Sequence, residues 1–207
     1  MTGAPIKRIQ KTEKGEMSRE IKFYCFGDSI CFGQYVSVER SWVVSLGRDL
    51  NAFGKRHGTS FMVQNPSQNG GTSRHGLERM AYDVLNHEPP YLLIQFGLND
   101  CNFSSPDRAG ARVDEAAFRA NLTQMIAHAG RVGTQRVFLH TNHPGGHSDA
   151  YFERNVRYNK IIRQVATDTH DIHVTLVDIE AAVWSRYETY AEAAETLLLP
   201  DRIHLSY

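Results

Sequence analysis

Five short apolar runs, separated by stretches with helical spacing, organise the chain. The first runs from Ile21 to Phe26 and stops at Gly27; the second, Ser60 to Gln64, is closed by Asn65-Pro66. Tyr91-Leu92-Leu93-Ile94-Gln95-Phe96 is the clearest and ends at Gly97. Arg136 to His140 and Val174 to Asp178 complete the set. Apolar runs this short, bounded by Gly, Asn or Pro, predict buried strands. Between them, apolar residues recur at intervals of three and four. The sets are Trp42, Val43, Leu46, Leu50 and Phe53; Leu77, Met80, Val84 and Leu85; Phe118, Leu122, Met125 and Ile126; and Val156, Ile161, Ile162 and Val165. Each set falls on one face of a helix. Pro89-Pro90 break the second helix, and Gly130 or Gly133 stops the third. A short helical stretch from about Ala181 precedes the last segment, Leu197 to Tyr207.

Strand and helix alternate with no sustained run of hairpins, the signature of a parallel sheet with helices on both faces. The fold expected is therefore α/β, a three-layer α/β/α domain. Its 207 residues suit a flavodoxin-like five-stranded parallel sheet better than an eight-fold barrel of about 250 residues. Residues 1–20 are polar, carry Lys7, Arg8, Lys11, Glu13, Lys14 and Glu16, and lack the apolar core of a secretory signal. They are expected to form a tail, with residues 21–207 as one domain free of repeats and linkers. In this pattern a last helix would normally cover the sheet after Leu205. With Tyr207 closing the chain, the domain is expected to lack it.

Charge narrows the partners. Lys+Arg and Asp+Glu stand at 23 each, which argues against general binding to nucleic acid or to a membrane surface. Cys25, Cys31 and Cys101 show no C-x-x-C spacing. An odd, sparse set suits free thiols in a reducing compartment, so a cytoplasmic location is expected.

In an open parallel sheet, ligands bind beyond the carboxyl ends of the strands. The loops there carry Ser29 after the first strand, Asn69-Gly70-Gly71-Thr72 after the second and Gly97-Leu98-Asn99-Asp100 after the third; Asp201-Arg202-Ile203-His204 lies near the C-terminus. Together they hold the parts that acyl transfer requires. A serine hydroxyl is a weak nucleophile until a base takes its proton, a task for His204. Asp201, three residues earlier, can fix the imidazole tautomer and stabilise the imidazolium. The backbone N–H groups of Ser29 and Gly70 and the side-chain amide of Asn99 are candidate donors to the developing oxyanion. Asp28 is read as an N-cap for the turn beneath Ser29, and Asp100 as holding Asn99 in place.

These segments, in this order, resemble the blocks of the SGNH hydrolase superfamily, the GDSL-type esterases and lipases: Gly27-Asp28-Ser29-Ile30, Asn65 to Ser73, Gly97-Leu98-Asn99-Asp100 and Asp201-Arg202-Ile203-His204. The resemblance spans Phe23 to Tyr207. It implies a serine esterase without a cofactor, with Ser29 as nucleophile, Gly70 and Asn99 completing the oxyanion hole, and Asp201 and His204 completing the triad. Ile30 stands where many members have Leu, and Gly70 fits the family register better than Gly71.

Other readings stay open. His140-Thr141-Asn142-His143-Pro144-Gly145-Gly146-His147-Ser148-Asp149 could hold zinc with an open position for water. Its spacing matches no named zinc motif, however, and no metal is expected. His143 is instead expected to line the substrate cleft. Acyl transfer to an alcohol would use the same residues, and a non-catalytic binding module could share the fold. The loops around the site are polar, among them Gln34 and Tyr35, Gln68 and Asn69, and Arg74 and His75. No apolar lid announces a lipid tunnel. The expected substrate is a small-molecule or carbohydrate ester, a short acyl group such as acetyl on a polar alcohol or sugar.

Overall fold

The computed structural model describes residues 10–11, 17–103 and 110–206. The apolar runs become the strands of one sheet. Gln10–Lys11 is β1, Met17–Gly27 is β2, Thr59–Gln64 is β3, Tyr91–Gln95 is β4, Arg136–His140 is β5 and His173–Val177 is β6. Five of these pair in parallel in the order β3-β2-β4-β5-β6, with Phe23 facing Val63 on one side and Tyr91 on the other. This is the flavodoxin-like α/β/α sheet that the alternation predicts.

The first strand starts earlier than its apolar run. Met17 to Glu20 already belong to β2; Arg19 and Glu20 pair with Thr59 and Ser60, and β1 runs antiparallel to Met17 and Ser18. Backbone pairing needs only N–H and C=O groups, which polar residues carry as well as apolar ones. Hydropathy therefore under-reads the strand. The rest of the expected tail, residues 1–9 and 12–16, lies outside the described residues, as does Tyr207.

Eight α-helical segments occur among the described residues: Ser29–Phe32 (α1), Trp42–Lys55 (α2), Ser73–Asp83 (α3), Leu98–Cys101 (α4), Glu115–Arg131 (α5), Asp149–Asp168 (α6), Ile179–Trp184 (α7) and Tyr190–Leu197 (α8). Alternating strand residues face opposite layers. Tyr24, Phe26, Leu92, Ile94, Val137 and Leu139 pack with Met80 of α3, Phe118 and Leu122 of α5, and Tyr158 and Ile162 of α6. Phe23, Cys25 and Leu93 face the other way, onto Val43 of α2, with Trp42, Leu46, Leu50 and Phe138 around them. Fully burying one such large side chain contributes about 1.5–3 kcal/mol, so both layers hold the sheet that carries the site.

Two helices, α1 and α4, stand where only loops were expected. A one-turn helix is too short to show a hydrophobic period. Caps create α1 instead: Asp28 Oδ1 accepts from Ile30 N at 2.9 Å, and Gly33, at φ 82°, returns its N–H to Ser29 O.

Candidate active site

Ser29 is the first residue of α1, directly beyond the end of β2, and is nearly buried. Its turn is pinned from three sides. Cys31 N donates to Gln95 Oε1 at 3.2 Å, Trp42 Nε1 to Ile30 O at 2.8 Å, and Asp28 caps the helix start. The hydroxyl therefore sits on a rigid element, which a reacting group needs.

After α8 the chain folds back on itself. Leu199 N donates to His204 O at 2.7 Å, Ser206 N to Leu197 O at 2.7 Å and Arg202 N to Leu199 O at 2.8 Å. Within this turn Asp201 Oδ1 accepts from the backbone N–H groups of Ile203 at 2.9 Å and His204 at 3.0 Å. Its other oxygen, Oδ2, lies 2.6 Å from His204 Nδ1, and His204 Nε2 lies 3.0 Å from Ser29 Oγ. A carboxylate only accepts, so Nδ1 carries the proton in the neutral ring and Nε2 offers a lone pair to the serine hydroxyl. Partial burial tends to raise the Asp201 pKa, but the bonds from the His204 ring and the two amides outweigh it and hold the carboxyl below its ordinary range. The edge of the exposed Tyr35 ring meets His204 at 5.0 Å between centroids, and Tyr35 sits at φ 66°, an uncommon conformation for a residue with a Cβ. A cavity of about 240 Å³ opens beside this pair, walled by Ile30, Val36, Trp42 and Leu205 as well as Ser29 and His204.

The loop after β3 is laced to the end of β2. Gln68 N donates to Gly27 O at 3.1 Å and Ser67 Oγ to Cys25 O at 3.3 Å. Gly71 spends its N–H on Gln68 O at 3.2 Å, whereas Gly70, exposed at φ 70°, has no acceptor for its own among the described residues. The Ser29 amide, at the start of α1, is in the same condition.

Asn99 lies in α4, and its Nδ2 donates to Asp28 Oδ2 at 3.2 Å, which brings it beside the Ser29 turn. Next to it, the buried Asp100 carboxyl accepts from Ser73 N at 2.9 Å and from Ser73 Oγ, so it ties α4 to the start of α3. Burial pushes Asp28 up to about 7 and Asp100 up to about 6, against the opposing pull of their hydrogen bonds. Gly97 makes the junction possible: its φ is 138°, and a Cβ there would stand 2.3 Å from Asn142 Nδ2.

The expected residues thus come together, with one exception. His143 does not line the cleft. It is 2 % exposed, and its Nε2–H donates to Ile203 O at 2.8 Å from beneath the Asp201–His204 turn. Burial lowers its pKa to about 4. The other histidines of that loop lie in separate surroundings. His140 stacks on Trp42 at 5.9 Å and burial lowers it to about 4; His147 is exposed against Tyr151. Among the described residues no three His, Cys, Asp or Glu side chains are grouped to hold a metal ion.

Several supporting residues escaped the sequence reading. Gln95 interrupts an apolar strand and donates through Nε2 to Asn142 Oδ1 at 3.3 Å. Asn155 and Asn159, four apart on the buried face of α6, hold the segment after β5. Asn155 Nδ2 donates to His143 O at 2.8 Å, and Asn159 bonds both the N–H and the C=O of Asn142. Polar residues inside an apolar run or stripe were the available signal. Arg112, whose Nη1 donates to Asn99 Oδ1 at 3.3 Å, left none.

Known proteins share this fold and pattern. An arylesterase of Vibrio mimicus is 28% identical over 130 residues, 63% of this chain; the match spans 59% of the relative's own length. The structure of a lipase/acylhydrolase from Enterococcus faecalis superposes with a TM-score of 0.70 at 29% identity, covering 90% of this chain and 87% of that one. The fold of the acetyl xylan esterase AlAXEase superposes with a TM-score of 0.72 at 23% identity, covering 90% and 92%. Among the described residues no helix is long and apolar enough to cross a membrane. Residues 25–207 match the GDSL-like Lipase/Acylhydrolase family, so the chain belongs to that family of SGNH hydrolases.

Proposed function

We propose that this chain hydrolyses carboxylic esters through a covalent acyl-enzyme, with Ser29 as nucleophile, His204 as base and Asp201 as its orienting carboxylate. The observation that carries this reading is the continuous line from Asp201 Oδ2 through the His204 ring to Ser29 Oγ, at 2.6 and 3.0 Å. Ser29 Oγ attacks the ester carbonyl carbon while His204 Nε2 takes its proton. The oxyanion is received by the N–H groups of Ser29 and Gly70 and by Asn99 Nδ2; among the described residues the two amides have no acceptor to compete for them. His204 then gives the proton to the departing alcohol. Water, deprotonated by the same ring, attacks the acyl carbon and releases the acid. The chemistry needs no cofactor.

The substrate is read as a short acyl ester, acetyl being the best fit, of a polar alcohol or sugar. The cavity of about 240 Å³ beside Ser29 is below the roughly 300–1,000 Å³ of sites that take drug-sized ligands. Its Trp42 wall is fixed by the bond to Ile30 O and by the His140 stack, so room for a long chain would require repacking. Three buried free thiols suit a reducing, cytoplasmic setting.

Hydrolysis of p-nitrophenyl acetate, butyrate and octanoate is the test, with wild type, Ser29→Ala and chelator-treated wild type side by side. Expected are loss of turnover in Ser29→Ala, no effect of chelator, and falling kcat/KM from acetate to octanoate. Activity that survives Ser29→Ala would defeat the serine mechanism, and preference for octanoate would defeat the short-acyl assignment.

A further inference from the structure

The geometry points to Arg112 as a positioning residue that sets the orientation and donor strength of the Asn99 amide; this rests on the proposed role of Asn99 in the oxyanion hole. A carboxamide can lie in either of two flipped orientations of nearly equal shape, and only one presents N–H groups where the other presents oxygen. Here both ends are specified. Arg112 Nη1 approaches Oδ1 at 3.3 Å, and a guanidinium has donors only, so the atom it meets must be the carbonyl oxygen. At the other end Nδ2 lies 3.2 Å from Asp28 Oδ2. One N–H is used there, beside the Ser29 turn, and the second has no acceptor among the described residues.

Arg112 is itself held in register with α4. Its backbone N–H donates to Asn102 O at 3.1 Å, and the N–H of Val113 donates to Asp100 O at 3.1 Å. The chain at Arg112 and Val113 is thereby stitched to the turn that bears Asn99, so the guanidinium is positioned by backbone bonds as well as by its long side chain. Its charge reaches further: it acts to lower the proton affinity of the buried Asp100 carboxyl against the effect of burial.

The consequence is directional. A cation at the amide oxygen draws electron density away from Nδ2 and makes its remaining N–H a better donor. That matters most when negative charge appears on the substrate oxygen, in the transition state. Interactions made only there change kcat and leave KM largely alone. Losing a whole oxyanion donor costs about 10²–10³ in turnover. Losing the group that orients and polarises it should cost less, about tenfold.

The experiment is a double-mutant cycle on p-nitrophenyl acetate hydrolysis with Arg112→Ala, Asn99→Ala and the pair, plus Arg112→Lys and Ser29→Ala. Expected is a roughly tenfold fall in kcat for Arg112→Ala, KM within about twofold of wild type, partial recovery in Arg112→Lys, and almost no further loss when Arg112→Ala is added to Asn99→Ala. Thermal unfolding of each variant shows whether kcat loss tracks the fold. Arg112→Lys, which keeps the stem and the charge, serves if Arg112→Ala is unstable. Wild-type kcat in Arg112→Ala, a rise in KM alone, or the same proportional loss with and without Asn99 would each overturn the inference. The failure of the underlying reading looks different: Asn99→Ala alone would then keep wild-type kcat, or Ser29→Ala would stay active.

Discussion

Exchange of His143 for glutamine separates a buried clamp from a cleft-lining residue by the sign of a pH effect. The wild-type ring is 2 % exposed, donates to Ile203 O, and has its pKa lowered from 6.5 to about 4 because burial penalises the imidazolium. For a histidine with a depressed folded pKa, the unfolded chain binds the proton more readily, so stability is whole above pH 6.5 and is lost as pH falls toward 4. Working the two titrations through, the folded state loses about 2 kcal/mol at this one site between pH 7 and pH 5. Glutamine keeps an amide N–H near the position of Nε2 but does not titrate. At pH 7 His143→Gln should be less stable by about 1–2 kcal/mol, because ring packing and an ideal buried bond are disturbed. At pH 5 the deficit should vanish or reverse, while every other titrating group cancels in the comparison. Urea denaturation of both proteins at the two pH values reads the difference directly. A stability gap that does not move with pH would refute a buried neutral His143. A raised KM with unchanged stability would return the residue to the cleft.

Other positions test other parts of the framework. Gly97→Ala should cost 3 kcal/mol or roughly that, since a Cβ at φ 138° would also stand 2.3 Å from Asn142 Nδ2; Gly70→Ala, at φ 70° with open space around it, should cost only about 1–2 kcal/mol. Equal losses in urea denaturation would show that backbone strain, and not the collision, governs Gly97. Asp28 carries the opposite pH sign to His143. Its folded pKa, raised to about 7 by burial, makes the wild type lose stability as pH climbs from 4 through 7. Asp28→Asn should therefore gain on wild type by roughly 2–3 kcal/mol between pH 5 and pH 8, whatever it loses as a helix cap; a constant difference across that range would show the carboxyl to be ionised throughout.

What could be read from the chain and what could not divide along a physical line. The strands were legible because both faces are covered, so Tyr91 to Ile94 had to be apolar throughout. Ser29, Gly70, Asn99, Asp201 and His204 were legible as a group because the proposed acyl transfer would use a hydroxyl, a glycine amide, a carboxamide, a carboxylate and an imidazole, and their segments follow strand ends or close the chain. The misreading of His143 has the opposite origin. A segment of His, Thr, Asn, Pro and Gly reads as an exposed loop, yet Thr141 to Gly146 are all buried. Most of their polar groups are satisfied by partners that arrive from elsewhere, Asn155 and Asn159 from α6, and Asp178, which accepts from Thr141 Oγ1 at 3.2 Å; Asn142 Nδ2 alone of the segment's buried side-chain atoms has none among the described residues. Burial of a polar segment is a property of pairs, and neither member announces the other in hydropathy.

Single intrusions told more. A glutamine inside Tyr91-Leu92-Leu93-Ile94-Gln95-Phe96, or asparagines four apart in an amphipathic helix, are affordable only with a fixed partner, because an unpaired buried amide costs about 1–3 kcal/mol. Each of these polar residues bonds a segment that bears or supports the site: Gln95 the Ser29 helix, Asn159 the Asn142 backbone, Asn155 the His143 carbonyl. The His143 ring then carries that support on to Ile203, between Asp201 and His204. The His204 turn is thus held by a helix with which it shares no sequence motif. Damage at Asn155 or Asn159 should accordingly loosen His204 as well as the fold, and that coupling distinguishes a scaffold built for the site from one that merely contains it.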